Sequence, residues 1–200
     1  MANFNEAYDI TMGHEGGYVN DPDDAGGETY KGISRKYNPQ WKGWSIIDSY
    51  KKIIEYPKML DKSSELQNEV KNFYKENYWD VNRLDEIKNQ NVANEIFDTG
   101  VNMGGKRAAK FLQEALNYLN RNQLLYDDLI VDGSVGSKTF NALNILLKNN
   151  EENIILKIMN VLQGMHYLNY MKENLTQEKY ARGWFNRVII YKKENNYVSI

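Results

Sequence analysis

His14-Glu15-Gly16-Gly17-Tyr18-Val19-Asn20-Asp21-Pro22-Asp23-Asp24-Ala25-Gly26-Gly27-Glu28-Thr29-Tyr30-Lys31-Gly32-Ile33 is the stretch from which the rest of the chain takes its meaning. Just before it, Asn3 with Glu6 three residues on forms a capping-box-like start, and Gly16-Gly17 supplies a stop. A first helix is therefore predicted from Phe4 to Glu15. On that helix Glu15 follows Thr11 by four residues, Tyr8 by seven and Phe4 by eleven. These spacings put its carboxyl on the apolar face, where desolvation favours the neutral acid and raises the pKa toward roughly 6. The loop behind it carries Asp21, Asp23, Asp24 and Glu28, any of which can stay ionised in a wetter setting.

Two carboxyl groups in unlike surroundings are the minimum equipment for glycoside hydrolysis. One gives a proton to the glycosidic oxygen and the other stabilises the cationic sugar or activates water. The glycine pairs let the backbone approach a sugar closely, while Thr29 and Asn20 offer groups that can orient a water. Spacing alone leaves a plainer alternative open. Asp21 to Asp24 would then form an Asx turn, and Glu15 would be a helix-end residue that the helix dipole disfavours.

Composition removes several other classes. With 200 residues, 42% of them hydrophobic and 26% charged, the chain can bury a core without disulfides or metal. A formal net charge of -2 gives no electrostatic basis for binding nucleic acid. Any grip on carbohydrate must come from hydrogen bonds and rings, and 15 Tyr and 4 Trp supply the rings. The absence of Cys rules out a disulfide framework, a thiol nucleophile and a thiolate metal site. A zinc-peptidase motif would need a second His four residues after His14, where Tyr18 stands, so no metal and no cofactor is expected. His166 is read as a core or groove residue of an apolar helix. The N-terminus shows no basic stretch followed by an apolar run, and no 18-residue apolar segment occurs. The expectation is a chain made in the cytoplasm without a signal peptide and without stable membrane insertion.

All three Pro and seven of the 14 Gly fall in the first 57 residues, and the remainder reads as helices with short breaks. Helical stripes are predicted at Leu66, Val70, Phe73 and Tyr74 after Ser63-Ser64, and at Val92, Ile96 and Phe97 before Gly104-Gly105. Others run from Ala108 to Leu119, Thr139 to Leu147 and Ile154 to Met171, with residues 120 to 136 breaking the pattern. A short hairpin fits within residues 18 to 34, where Tyr18-Val19 and Tyr30 to Ile33 flank a Gly-rich turn. Asp98 and Asn102 share a helical face with Asn94 as a polar row able to line a cleft. Trp41, Trp44, Tyr30 and Tyr37 are either sugar platforms or core cover. The Asp132-Gly133 loop is either a sugar-binding hairpin or the cap of a helix beginning near Ser137.

The opening stretch resembles the signature of glycoside hydrolase family 108, bacterial and phage N-acetylmuramidases that include proteins labelled secretion activators. The resemblance continues through Phe97-Asp98-Thr99-Gly100-Val101-Asn102-Met103-Gly104. Val131-Asp132-Gly133-Ser134-Val135-Gly136-Ser137-Lys138-Thr139 is similar to the peptidoglycan-binding segment of such chains, and Arg182-Gly183-Trp184-Phe185-Asn186-Arg187-Val188 to their C-terminal block. Ala25 stands where a Pro is frequent in the family.

This resemblance implies a mainly α protein. A lysozyme-like catalytic half, residues 1–95, would carry a helical peptidoglycan-binding half, residues 96–200, packed on it as one compact unit. It also implies hydrolysis of the β-1,4 bond between N-acetylmuramic acid and N-acetylglucosamine, with Glu15 catalytic. Glu15, Asp24 and Thr29 nearly reproduce the spacing of phage-type lysozymes, one residue short at the Thr, which leaves the second carboxylate open between Asp24 and Asp21. Tyr18, Asn20, Tyr30, Asp98 and Asn102 are expected to line the saccharide groove. The expected partner is the glycan strand of peptidoglycan, met by a monomer in the periplasm or extracellular space with a holin or export machinery giving access. A lytic transglycosylase and a non-catalytic, secretion-assisting wall binder are the alternatives.

Overall fold

The computed structural model describes residues 1–12, 17–21, 26–53 and 55–189. Its contacts divide the chain into a unit of Asn3–Asp85 and a unit of Met1–Ala2 with Glu86 onward. The architecture is mainly α, and the described residues hold a single three-stranded sheet.

In the Asn3–Asp85 unit, α1 (Phe4–Met12) starts as the capping pattern predicts: the Asn3 side chain accepts from the Asn5 N–H at 2.9 Å. It buries Phe4, Ala7 and Thr11 along one stripe. The continuation predicted through Glu15 lies outside the described residues. Three short antiparallel strands follow: β1 (Tyr18–Val19), β2 (Thr29–Tyr30) and β3 (Ile33–Ser34). Tyr18 lies opposite Tyr30, and Tyr30 opposite Ile33. The stretch Tyr30 to Ile33 is therefore two strands and not one. Lys31 and Gly32, at φ 44° and 78°, form a two-residue turn with both φ positive, whose twist suits a tight hairpin.

Helix α2 (Gly43–Tyr50) has no side-chain cap and no strong local signal. Its stability comes from packing on α3, with Trp44 and Ile47 buried. Helix α3 (Ser64–Tyr74) has the predicted cap, Ser63 Oγ accepting from the Leu66 N–H at 3.3 Å, and buries Leu66, Val70 and Tyr74. The same helix holds the sheet. Tyr74 donates its hydroxyl to the Lys31 carbonyl at 2.7 Å, and seven residues earlier Gln67 donates to the Tyr30 hydroxyl at 2.8 Å.

The second unit is built on α4 (Gln90–Met103), α5 (Gly105–Leu119) and α7 (Glu152–Glu173), joined by α6 (Ser137–Lys148) and a short α8 (Ala181–Phe185). Asn89 caps α4 by accepting from the Val92 N–H at 3.0 Å, and Gly104, at φ 93°, ends it. Residues 120–136 make no helix or strand but are held by amides spaced along one face of α5. Gln113 donates to Asp132 at 2.9 Å and accepts from the Gly133 N–H at 2.8 Å. Asn117 donates to the Leu129 carbonyl and accepts from its N–H, at 2.9 and 2.8 Å. These side chains do for the loop what a neighbouring strand would do. Asp132 is thereby engaged, and the cap position of α6 belongs to Gly136, without a side-chain bond, so the capping role considered for the Asp132-Gly133 loop is not the one it has. A Cβ at Gly133, already at φ 78°, would come within 2.6 Å of the Lys106 carbonyl oxygen, which explains the glycine. Among the described residues no helix is long and apolar enough to cross a membrane.

Candidate active site

Glu15 and Asp24, with His14 and Asp23, lie outside the described residues. The structure describes the frame on either side of them: α1 to Met12, the segment Gly17–Asp21, and the chain from Gly26. Asn20 and Asp21 are exposed where β1 opens into the loop. At the other foot of the loop, Ser34 Oγ donates to the Gly26 carbonyl at 2.6 Å and Thr29 Oγ1 to the Gly27 carbonyl at 3.2 Å. The loop therefore returns to the sheet through two hydroxyl anchors. Tyr30 is wholly buried, its hydroxyl donating to Asp61 at 2.9 Å, so its ring supports the hairpin from within the core. Trp44 is likewise core, whereas Tyr37 is 68% exposed.

Glu28, one of the loop carboxylates, is committed to structure. Its side chain is 13% exposed and lies 2.8 Å from Arg35 Nε and 2.8 Å from Lys51 Nζ. Arg35 forks onto Asp48 at 3.0 and 2.7 Å, and Lys51 reaches the same carboxylate at 2.7 Å, closing a ring of alternating charge between the hairpin and α2. Arg35, then Lys51, hold the Asp48 carboxyl down at about 2. Tyr18 adds a hydrogen bond to Glu28 at 2.9 Å. Burial, with Tyr56 and Glu28 beside it, raises the Tyr18 phenol well above its ordinary value and keeps it a neutral donor. Replacing Glu28 by Gln leaves Arg35 and Lys51 facing each other across a neutral group. The expected result is a loss of about 2 kcal/mol of stability, read as a lower urea midpoint with unchanged slope.

A cavity of 360 Å³ opens beside the last turn of α1, between Tyr8 and Met12 on one side and Lys31 and Lys71 on the other. Asp9 also lines it, and Lys31 is bound to Gln67 at 2.7 Å.

Asp98 and Asn102 belong to the other unit and are both engaged. Asp98 accepts from Arg187 at 2.8 Å, and Asn102 from the Tyr167 hydroxyl at 2.7 Å. Tyr167 in turn stacks on Trp184 at 5.1 Å, so the polar row on α4 meets α7 and the C-terminal block. One turn before Asp98 the same helix carries Glu95, which the sequence reading passed over. Its carboxyl accepts from Thr99 Oγ1 at 3.3 Å, and burial, assisted by repulsion from Asp98, pushes its pKa up to about 7 against bonds from Asn160 and Thr99. The signal in the sequence was an acid four residues before Thr99 in an apolar stripe.

Because the folded pKa of Glu95 exceeds its ordinary 4.5, the folded state binds its proton more tightly. This contribution to stability is complete below pH 4.5 and disappears as the pH rises through about 7. Glu95→Gln stays neutral throughout. It should flatten the pH dependence of unfolding between those limits and stabilise the protein at pH 8 by up to about 3 kcal/mol relative to the parent chain, measurable by denaturant titration at several pH values.

Residues 8–104 match the family model of Glycosyl hydrolase 108, and residues 107–189 that of the Predicted Peptidoglycan domain. Among solved structures the chain is similar to the structure of Brucella abortus SagA, with a TM-score of 0.59 and 24% identity over 92% of this chain and 88% of that one. At that identity the likeness concerns the fold. No curated protein matches the chain. The two family segments meet next to Gly104, whereas the contact division falls between Asp85 and Glu86, so α4 continues the first family segment in sequence but packs on α5 and α7.

Proposed function

The chain belongs to the glycosyl hydrolase 108 family and carries a predicted peptidoglycan domain behind it, and from this premise we propose that it is an N-acetylmuramidase. It would cut the β-1,4 bond between N-acetylmuramic acid and N-acetylglucosamine. The observation that carries the reading is the family match over residues 8–104, the segment that contains Glu15 and the loop carboxylates.

Glu15 is assigned as the general acid that protonates the glycosidic oxygen as the bond to the anomeric carbon breaks. An ionised aspartate then stabilises the oxocarbenium-like sugar or takes a proton from the water that attacks it. The state of Glu28 supports the division of labour: two cations and a phenol engage it in structure, and the role is assigned to Asp24 or Asp21, the pair that the phage-lysozyme-like spacing leaves open. Thr29 would position the water, while Tyr18 and Asn20 on the hairpin, backed by Tyr30, would contribute to the saccharide groove; on the other unit Asp98 and Asn102 would take part in glycan contact through the polar row they share with Arg187 and Tyr167. Asp24→Asn is expected to lower turnover more than Asp21→Asn. The two rates on purified peptidoglycan give the order directly, and the reverse order moves the role to Asp21.

The bond specificity is tested by the products. Hydrolysis by a muramidase leaves a reducing N-acetylmuramic acid end and fragments one water heavier than those of a lytic transglycosylase. A reducing N-acetylglucosamine end, or an anhydro product, overturns the assignment. The site of action would be the cell wall, in the periplasm or outside the cell.

A further inference from the structure

On the face of the Asn3–Asp85 unit formed by residues 37–42 and α3, the chain builds a cavity of 440 Å³ that the chemistry above does not use. Its floor is Trp41. The indole N–H donates to the Glu69 carbonyl at 3.2 Å, and the ring stands edge-on to Trp44 at 5.0 Å and to Phe73 at 6.2 Å. A Cβ on Gly43 would come within 2.3 Å of that ring, so glycine there is what lets the indole lie against the start of α2. The ring is held in place by these contacts and remains partly open to solvent.

Tyr37 stands beside it, 68% exposed. The rim carries Gln40, Asn72 and Glu76, whose side chains make no hydrogen bond to another described residue. On α3 the positions Glu69, Asn72 and Phe73 share one side, separate from the Gln67 and Tyr74 stripe that holds the sheet, and Glu76 follows in the wider turn Lys75–Trp79 that continues the helix.

A fixed aromatic face ringed by free planar amides and a carboxylate has the chemistry of sugar recognition: the ring meets C–H bonds and the rim meets hydroxyl and acetamido groups. Charge narrows the choice further. The cavity sets Glu69 and Glu76 against Lys42, which disfavours a sugar bearing a carboxylate. The geometry points to a second saccharide site here, one that takes an N-acetylglucosamine residue and not the lactyl-bearing muramic acid. The inference rests on the reading of glycan as the substrate but not on the hydrolytic step. Such a site would hold a strand to the catalytic unit and raise the effective concentration of its scissile bonds.

The test uses the full chain bearing Glu15→Gln, titrated with N,N′,N″-triacetylchitotriose, a neutral probe made of N-acetylglucosamine alone. The indole N–H resonance of Trp41, assigned by its loss in Trp41→Phe, should shift saturably with a millimolar dissociation constant. Tyr37→Ala and Asn72→Ala should each weaken that titration by about tenfold, with the thermal midpoint unchanged because both side chains are exposed. A Trp41 resonance that stays unmoved, or a titration that neither substitution weakens, overturns the second site. Hydrolysis is read separately, by the reducing ends that the unsubstituted protein releases from peptidoglycan. Cutting without a Trp41 shift removes the second site alone, and a saturable shift without cutting removes the hydrolase reading and leaves the site standing.

Discussion

Glu15→Gln should abolish the clearing of purified peptidoglycan, by about a thousandfold or more, while the far-UV spectrum and thermal midpoint stay those of the parent chain. The substitution keeps the shape and hydrogen-bonding capacity of the side chain and removes the one property the role demands, a transferable proton. A thousandfold loss corresponds to about 4 kcal/mol of transition-state stabilisation, the scale expected when proton donation and charge effects act together at one carboxyl. A variant that keeps a tenth of the activity would show that proton delivery lies elsewhere. Glu95, whose carboxyl titrates near neutrality, would then be the next residue to replace.

The second large effect concerns chain length. A fragment ending at Asn120 should be poorly soluble, unfold without cooperativity and clear no peptidoglycan. It retains α4 and α5 but lacks α7, against which both helices pack. Helix α7 buries Ile155, Leu156 and Met159, and its Tyr167 bonds Asn102. At about 1.5–3 kcal/mol for each large apolar side chain withdrawn from water, those three residues alone account for about 5–9 kcal/mol. That is comparable to the whole stability of an ordinary domain, roughly 5–15 kcal/mol. Helices α4 and α5, which carry the fully buried Ile96, Phe97, Leu112 and Leu116, lose α7 as part of their cover. Scanning calorimetry and wall clearing on residues 1–120 check this. A soluble, active fragment would mean that the later helices serve binding alone.

The two outcomes address different levels of organisation. One concerns a proton on the side chain of Glu15, the other the core of a unit whose first long helix, α4, belongs in sequence to the glycosyl hydrolase segment. If both hold, the division of the chain into an enzyme and a binding attachment is one of ancestry and not of folding. The physical reason is that α4 has its apolar stripe aimed at α5 and α7.

The features legible in the order of the residues are those settled within one or two turns of chain. Ser63 before Leu66 and Asn89 before Val92 mark the starts of α3 and α4, because a cap is a bond between near neighbours, and the apolar stripes that follow declare which face is buried. The stretch from His14 to Ile33 was legible for a related reason, since a long string of chemically specific residues carries its own signature. Tertiary structure alone decided what the polar residues do. Glu28 looked equivalent to its neighbours on the loop until Arg35 and Lys51 were brought to it from seven and 23 residues further on. Tyr30 looked like a sugar platform until α3 covered it. Asp98 and Asn102 form a polar row on any helical projection, yet Arg187 and Tyr167, 89 and 65 residues away, occupy them. The helical period reports which face a side chain shares, but whether that face meets solvent, a substrate or another helix depends on partners separated by tens of residues, and such pairings leave no period in the chain.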